Sequence, residues 1–268
     1  VTDDTTGLNV QSLSVAYGGN VAVAGATFAA PLGRVTGLIG PNGAGKTTTF
    51  NACNGLLRPS SGRVGFAGRD VTRMGTAGRA RLGMGRTFQQ VQVCTGMSVR
   101  SNVAIGAEVS LIGRNPLRQF VAGRTQQRVV TERTDEALET CGLGWLADRS
   151  MSVLSTGQKR LVELARVLAG GYRMLLLDEP SSGLDEAETA RFGQILTGVV
   201  RDRGLGILLV EHDMTLVMAV CEYIYVLDFG NLIFEGTPAE TRASPAVRAA
   251  YLGEEGGLKG LVAEGAGA

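Results

Sequence analysis

The chain has 268 residues, 44% of them apolar and 19% charged, with a formal net charge of +1. That size and balance suit one large globular domain or a domain with a lobe, and the lack of a basic stripe excludes nucleic acid as the default partner. The four cysteines, Cys53, Cys94, Cys141 and Cys221, have neither CxxC nor metal-ligand spacing, which argues against a disulfide or zinc framework and for a reducing compartment.

In chain order, residues 8–16, 26–29 and 63–66 read as short strands punctuated by glycine. Residues 35–39, 174–177 and 206–210 are compact apolar runs of the kind that form buried parallel strands. Between them, residues 98–170 carry Ala, Leu and Arg at helical period and predict a helical lobe. Residues 223–227 and 232–235 flank Phe229, Gly230 and Asn231 as a hairpin. Thr237, Pro238 and Glu240 then predict an N-cap, a first-turn proline and the acidic arm of a capping box. The tail after Leu252 is rich in Gly and Ala and is expected to fray. No apolar run reaches the roughly 18 residues of a membrane span, so a role at a membrane is expected to come through a partner.

Three strand ends carry the chemistry. After the run at 35–39 the chain reads GPNGAGKT, from Gly40 to Thr47, with a helix expected to begin near Thr47. Gly40, Gly43 and Gly45 let the backbone curl so that amide hydrogens face inward, and the helix N-terminus adds its positive end, a cradle for polyphosphate. Lys46 can reach the outer phosphates and the Thr47 hydroxyl can join a Mg²⁺ shell. After the run at 174–177 come Asp178 and Glu179. Asp178 suits the Mg²⁺ shell, and Glu179 can orient or deprotonate an attacking water; acids capping a helix are the plainer reading. After the run at 206–210 and Glu211 comes His212, the sole histidine of the chain.

Residues 154–160 read LSTGQKR. Ser155 with Gln158 forms a capping-box pattern ahead of an apolar face made by Leu161, Leu164, Ala165 and Leu168, and a helix would form there whatever its use. The string also resembles the signature of the ATP-binding cassette (ABC) family, usually written LSGGQ, with Thr156 in place of the first glycine. Set between the phosphate loop and LLLDEP, it makes the chain similar to that family over about residues 8–252.

The resemblance implies an α/β fold, a P-loop NTPase (ABC ATPase) core with an antiparallel β subdomain and an inserted α-helical lobe. The divisions expected are 1–92 with 171–236 for the nucleotide-binding core, 93–170 for the helical lobe with the signature, and 237–268 for C-terminal helices and tail. It implies ATP and Mg²⁺ as ligands. The nucleotide site would comprise Tyr17 stacked on adenine, the loop Gly40, Pro41, Asn42, Gly43, Ala44, Gly45, Lys46, Thr47 and Thr48, and Ser155, Thr156, Gly157, Gln158 and Asp185. Asp185 ends the D-loop that begins at Ser182. Gln89, in RTFQQ, resembles the Q-loop glutamine that touches the metal or the water, beside Thr47 and Asp178 as metal residues. His212 resembles the switch histidine at the γ-phosphate. A head-to-tail dimer of two ATP-binding subunits, homo- or heteromeric, is implied, with integral membrane permease subunits, a location on the cytoplasmic face of the membrane through them, and indirectly a substrate-binding protein.

Within the family, GRTFQQVQVCTGMSVRSNV, IFEGTPAE and SPAVRAAYLG resemble the ATPases of branched-chain or hydrophobic amino-acid importers. Cassettes for urea uptake and lipopolysaccharide export share this layout and stay open as alternatives, since LSTGQ and SSGLD depart from many importer patterns. Residues 108–132, with Arg114, Arg118, Arg124 and Arg128, resemble the longer helical segment of that group or form a solvated basic helix. A soluble cassette ATPase acting on ribosomes, DNA or cluster-assembly factors is disfavoured by the single cassette and the absence of a long heptad insertion. A regulator without turnover conflicts with Glu179 and His212.

Overall fold

In Val35–Ile39 (β3), Met174–Asp178 (β7) and Gly206–Val210 (β8) every residue is buried, the condition of parallel strands covered on both faces. With Met84–Arg86 (β6), Tyr223–Asp228 (β9) and Asn231–Gly236 (β10) they make a six-stranded sheet ordered β10-β9-β3-β8-β7-β6. All neighbours in it are parallel except the β9–β10 hairpin. The computed structural model describes residues 7–87, 93–112 and 124–252.

A second, antiparallel sheet joins Leu8–Tyr17 (β1), Asn20–Ala30 (β2), Ser61–Phe66 (β4) and Arg69–Asp70 (β5) in the order β2-β1-β4-β5. The strand period of two decides what each residue packs against. Leu208 and Val210 of β8 join Val10, Val15, Phe28 and Val64 of the small sheet, with Phe50 and Cys53 of Lys46–Asn54 (α1) between the layers. Ile207 and Leu209 face the other way, into a core shared with the helices. Those helices are Val99–Ile112 (α3), Arg124–Thr140 (α4), Thr156–Ala169 (α5), Glu186–Arg203 (α6) and Met214–Val220 (α7). The first three pack on one another, between β6 and β7 in the chain. Among the described residues no helix is long and apolar enough to cross a membrane.

Residues 26–29 prove to be only the end of β2, whose start alternates too weakly to announce itself. Thr76–Arg81 (α2) was equally hidden, because its main role is polar. Its buried Arg79 donates to the carbonyls of Ala52 at 2.7 Å, Val71 at 2.8 Å and Met74 at 2.9 Å, and also to Cys53. A guanidinium thus supplies donors to carbonyls at the end of α1, where the last turn runs short of them.

The hairpin turns through Phe229 and Gly230, at φ 42° and 79°, the pair of left-handed residues that a tight two-residue turn requires. Pro238–Ala243 (α8) opens with the expected capping box of Thr237 and Glu240, a device worth about 1 kcal/mol. Pro245–Ala250 (α9) follows at once and buries Val247, with Tyr251 beyond it, in the helical core.

Candidate functional site

The phosphate loop leaves β3 and enters α1. A Cβ on Gly40 would lie 2.0 Å from the Leu227 carbonyl oxygen, so β9 can run this close only past a glycine. From the hairpin turn, the Gly230 amide donates to the Ala44 carbonyl at 3.0 Å and braces the loop from outside. No side chain caps the α1 N-terminus, and its first turn has no acid. The loop and that helix start therefore present amide donors and positive potential, as an anion site needs. The buried Lys46 Nζ lies over the loop, donating to the carbonyls of Gly40 at 2.6 Å and Pro41 at 2.9 Å. Thr47 is exposed at the start of the helix and Thr48 is half-buried.

At the end of β7, Asp178 is 6% exposed and its Oδ1 has no hydrogen-bond partner among the described residues. Burial, then the neighbouring Glu179 charge, push its carboxyl up to about 6 against the pull of Arg86. A buried anionic oxygen without a donor fits a cation, which is the test that Mg²⁺ coordination at this position has to pass. Its amide donates to the Thr87 hydroxyl at 3.4 Å.

Glu179 takes a left-handed backbone, φ 46°, at a cost of about 1–2 kcal/mol for a residue with a side chain. Its amide donates to the Val210 carbonyl at 2.8 Å, continuing the β7–β8 ladder by one bond while the side chain swings toward the next strand end. There Glu179 Oε2 lies 3.8 Å from Nδ1 of His212, whose side chain is 55% exposed. The strand ends thus bring Asp178, Glu179 and His212 together, with Lys46 near enough to act on the Asp178 carboxyl.

The other expected residues belong to other elements of the chain. Ser155 caps α5 in a closed capping box, its Oγ accepting from the Gln158 amide at 3.1 Å while Gln158 Oε1 accepts from the Ser155 amide at 3.0 Å. The neighbours of this helix start come from the loop after β7 and the first turn of α6: Thr156 borders Gly183, and Gly157 borders Glu188. Asp185 caps α6 in a second capping box with Glu188. Tyr17 ends β1, 52% exposed. Gln89 lies outside the described residues, as do Arg114 and Arg118. Arg128 pairs with Glu132 at 2.7 Å on an exposed helix face, consistent with a solvated segment. The four cysteines are unpaired.

Thr87 and Glu211 also support the site, from segments without a recognisable motif. Thr87 carries no signal in the sequence. Glu211 does carry one, an acid placed directly after five apolar residues, and it proves fully buried beneath the His212 turn. Burial raises its carboxyl above the usual range, against the pull of donors from Ser181 and Asp213 and of His212.

A family model described as "ABC transporter" matches residues 23–182, and one described as "Branched-chain amino acid ATP-binding cassette transporter" matches residues 231–257. The chain is 35% identical over 254 residues to the high-affinity branched-chain amino acid transport ATP-binding protein BraF of Pseudomonas aeruginosa, covering 92% of this chain and 98% of that protein. It is also 35% identical over 248 residues to the lipopolysaccharide export system ATP-binding protein LptB of Acidithiobacillus ferridurans, covering 92% and 97%. Among solved structures, the ADP conformation of an ATP-binding cassette of an ABC transporter superposes with a TM-score of 0.81 at 30% identity, covering 92% of this chain and 99% of that one.

Proposed function

The chain belongs to the ABC transporter family as one of its ATP-binding, ATP-hydrolysing subunits, and on that footing we propose that it powers the import of branched-chain or other hydrophobic amino acids. The observation that carries the chemistry is the meeting of Asp178, Glu179 and His212 at adjacent strand ends, with the Lys46 loop beside them. The amino-acid reading is supported by the match of residues 231–257 and by the similarity to BraF.

In this reading the loop from Gly40 to Thr48 cradles the phosphates with its amides, and Lys46 turns its charge toward the β- and γ-phosphates. Tyr17 stacks on the adenine. Thr47, Asp178 and Gln89 would hold Mg²⁺, which when bound neutralises charge developing on the phosphate oxygens. Glu179 accepts a proton from the attacking water, and His212 contacts the γ-phosphate. Ser155, Thr156, Gly157 and Gln158 act on the nucleotide of a second subunit, where a helix N-terminus meets the γ-phosphate and completes a site shared between two chains. Asp185 sits where the subunits meet. The helices of 93–170 form the lobe that carries this signature, and the chain works on the cytoplasmic face of the membrane through permease subunits, with a substrate-binding protein delivering cargo.

The test is reconstitution with the membrane subunits that co-purify with it. Leucine uptake into proteoliposomes that needs internal ATP, and ATPase activity stimulated by amino acid with its binding protein, are the expected results. The second reading, lipopolysaccharide export, has the support of an equally similar relative. ATP-dependent release of lipopolysaccharide from the same vesicles, without amino-acid uptake, would replace the first reading with the second.

A further inference from the structure

Resting on the reading of His212 as the γ-phosphate contact, we propose that Glu211 is a positioning residue, a buried carboxylate that clamps the turn bearing His212 to the loop between Glu179 and Asp185. The side chain is 0% exposed. Its Oε1 accepts from the Ser181 amide at 2.8 Å and the Ser181 hydroxyl at 2.7 Å. Its Oε2 accepts from the amides of His212 at 3.0 Å and Asp213 at 3.3 Å. All these partners are donors, so an unprotonated carboxylate satisfies every one of them, and only such a bonded state makes a buried charge tolerable.

The clamp joins two loops that leave the sheet side by side, where the Glu179 amide donates to the Val210 carbonyl. Ser181 lies two residues after Glu179 and four before Asp185, the cap of α6; Asp213 caps α7 by accepting from the Thr215 amide at 2.8 Å. One carboxylate therefore ties the turn that opens α7 to the loop that leads into α6, and with them the spacing of Glu179 from His212. It also lies 3.7 Å from His212 Nδ1. A displacement of the loop from Ser181 to Asp185 reaches the His212 backbone directly, through a rigid hydrogen-bonded link. A glutamine there keeps the shape but turns its NH₂ group onto two donors, opening one side of the clamp.

The test is a mutant cycle on tag-free protein, with Glu211→Gln and Ser181→Ala each made alone and combined with His212→Ala. ATP affinity should stay within about twofold, because the phosphate loop is untouched, while single-turnover hydrolysis falls at least about tenfold in Glu211→Gln and about two- to fivefold in Ser181→Ala. In the His212→Ala background neither change should cost more than about twofold further, since both act through that histidine. His212 is the only histidine, so imidazole NMR reports on it alone. One narrow set of signals is expected for the wild type, and displaced or exchange-broadened signals for each variant, a change that loss of stability alone does not produce in folded protein. Losses that add in full to that of His212→Ala, or an unmoved imidazole signal, overturn the clamp while leaving His212 in place. If His212→Ala itself hydrolyses normally, the assignment of His212 fails and the clamp fails with it.

Discussion

Gly157 and Glu188 meet where a methyl group has no room: a Cβ on Gly157 would stand 2.1 Å from Glu188 Oε1. Glu188 is not free to move away without loss, because its other oxygen accepts from the Asp185 amide at 3.2 Å in the capping box of α6. Gly157→Ala should therefore open that box and destabilise the chain by about 0.5–2 kcal/mol. Denaturant unfolding measures it. In a Glu188→Ala background the same glycine change should cost close to nothing, and an undiminished cost there would locate the strain elsewhere.

Glu179→Gln should bind ATP with near wild-type affinity and lose about 10²- to 10⁴-fold in turnover, because the amide keeps the shape and removes the carboxylate proposed as the base. The stalled form should also dimerise with ATP and be mainly monomeric without it, since phosphates shared between subunits supply the differential affinity for such a shift. Sedimentation with and without ATP checks this. An unchanged mass at micromolar protein counts against the shared site.

Lys46→Ala should lose most ATP affinity, and Ser155→Arg should block the partner's site. A dimer pairing the two variants places both defects in one shared site and leaves the other intact. In a Glu179→Gln background with random subunit exchange, half of the dimers are mixed and occlusion of ATP should recover to roughly a quarter of the unmutated level. If exchange is verified and the mixture traps no more nucleotide than its components, each site lies within one chain and the role given to Ser155 is wrong.

Asp178 gives the nucleotide-free protein a specific pH dependence. Its carboxyl is raised from 3.8 to about 6 on folding, mainly by burial. The folded state therefore holds a proton that the unfolded state releases, so the contribution of Asp178 to stability is full below about pH 4 and lost as pH rises through about 6. Asp178→Asn should accordingly be more stable than the wild type at pH 8, by a margin that shrinks toward pH 4. Melting temperatures of both proteins across that range, without nucleotide or divalent ions, provide the check. A constant margin would mean that Asp178 titrates like an exposed acid.

What the sequence determined is what short stretches of chain can specify. The phosphate loop lies within GPNGAGKT, and its glycines, lysine and following helix are fixed by covalent neighbours alone. The same holds for the caps at Ser155 and Thr237, where the partners are three residues apart, and for the hairpin at Phe229 and Gly230. The apolar runs at 35–39, 174–177 and 206–210 announced buried strands. Such runs are apolar on both faces and so carry no mark of which strand lies beside which.

Only the tertiary structure decided the order β3-β8-β7, and with it the meeting of Lys46, Asp178, Glu179 and His212 from distant parts of the chain. It alone revealed the polar links that cross those distances: Arg79 on the end of α1, Glu188 against Gly157, and Glu211 with Ser181. A buried charge is tolerable only beside its donors or acceptors, and those come from segments that chain order does not bring together.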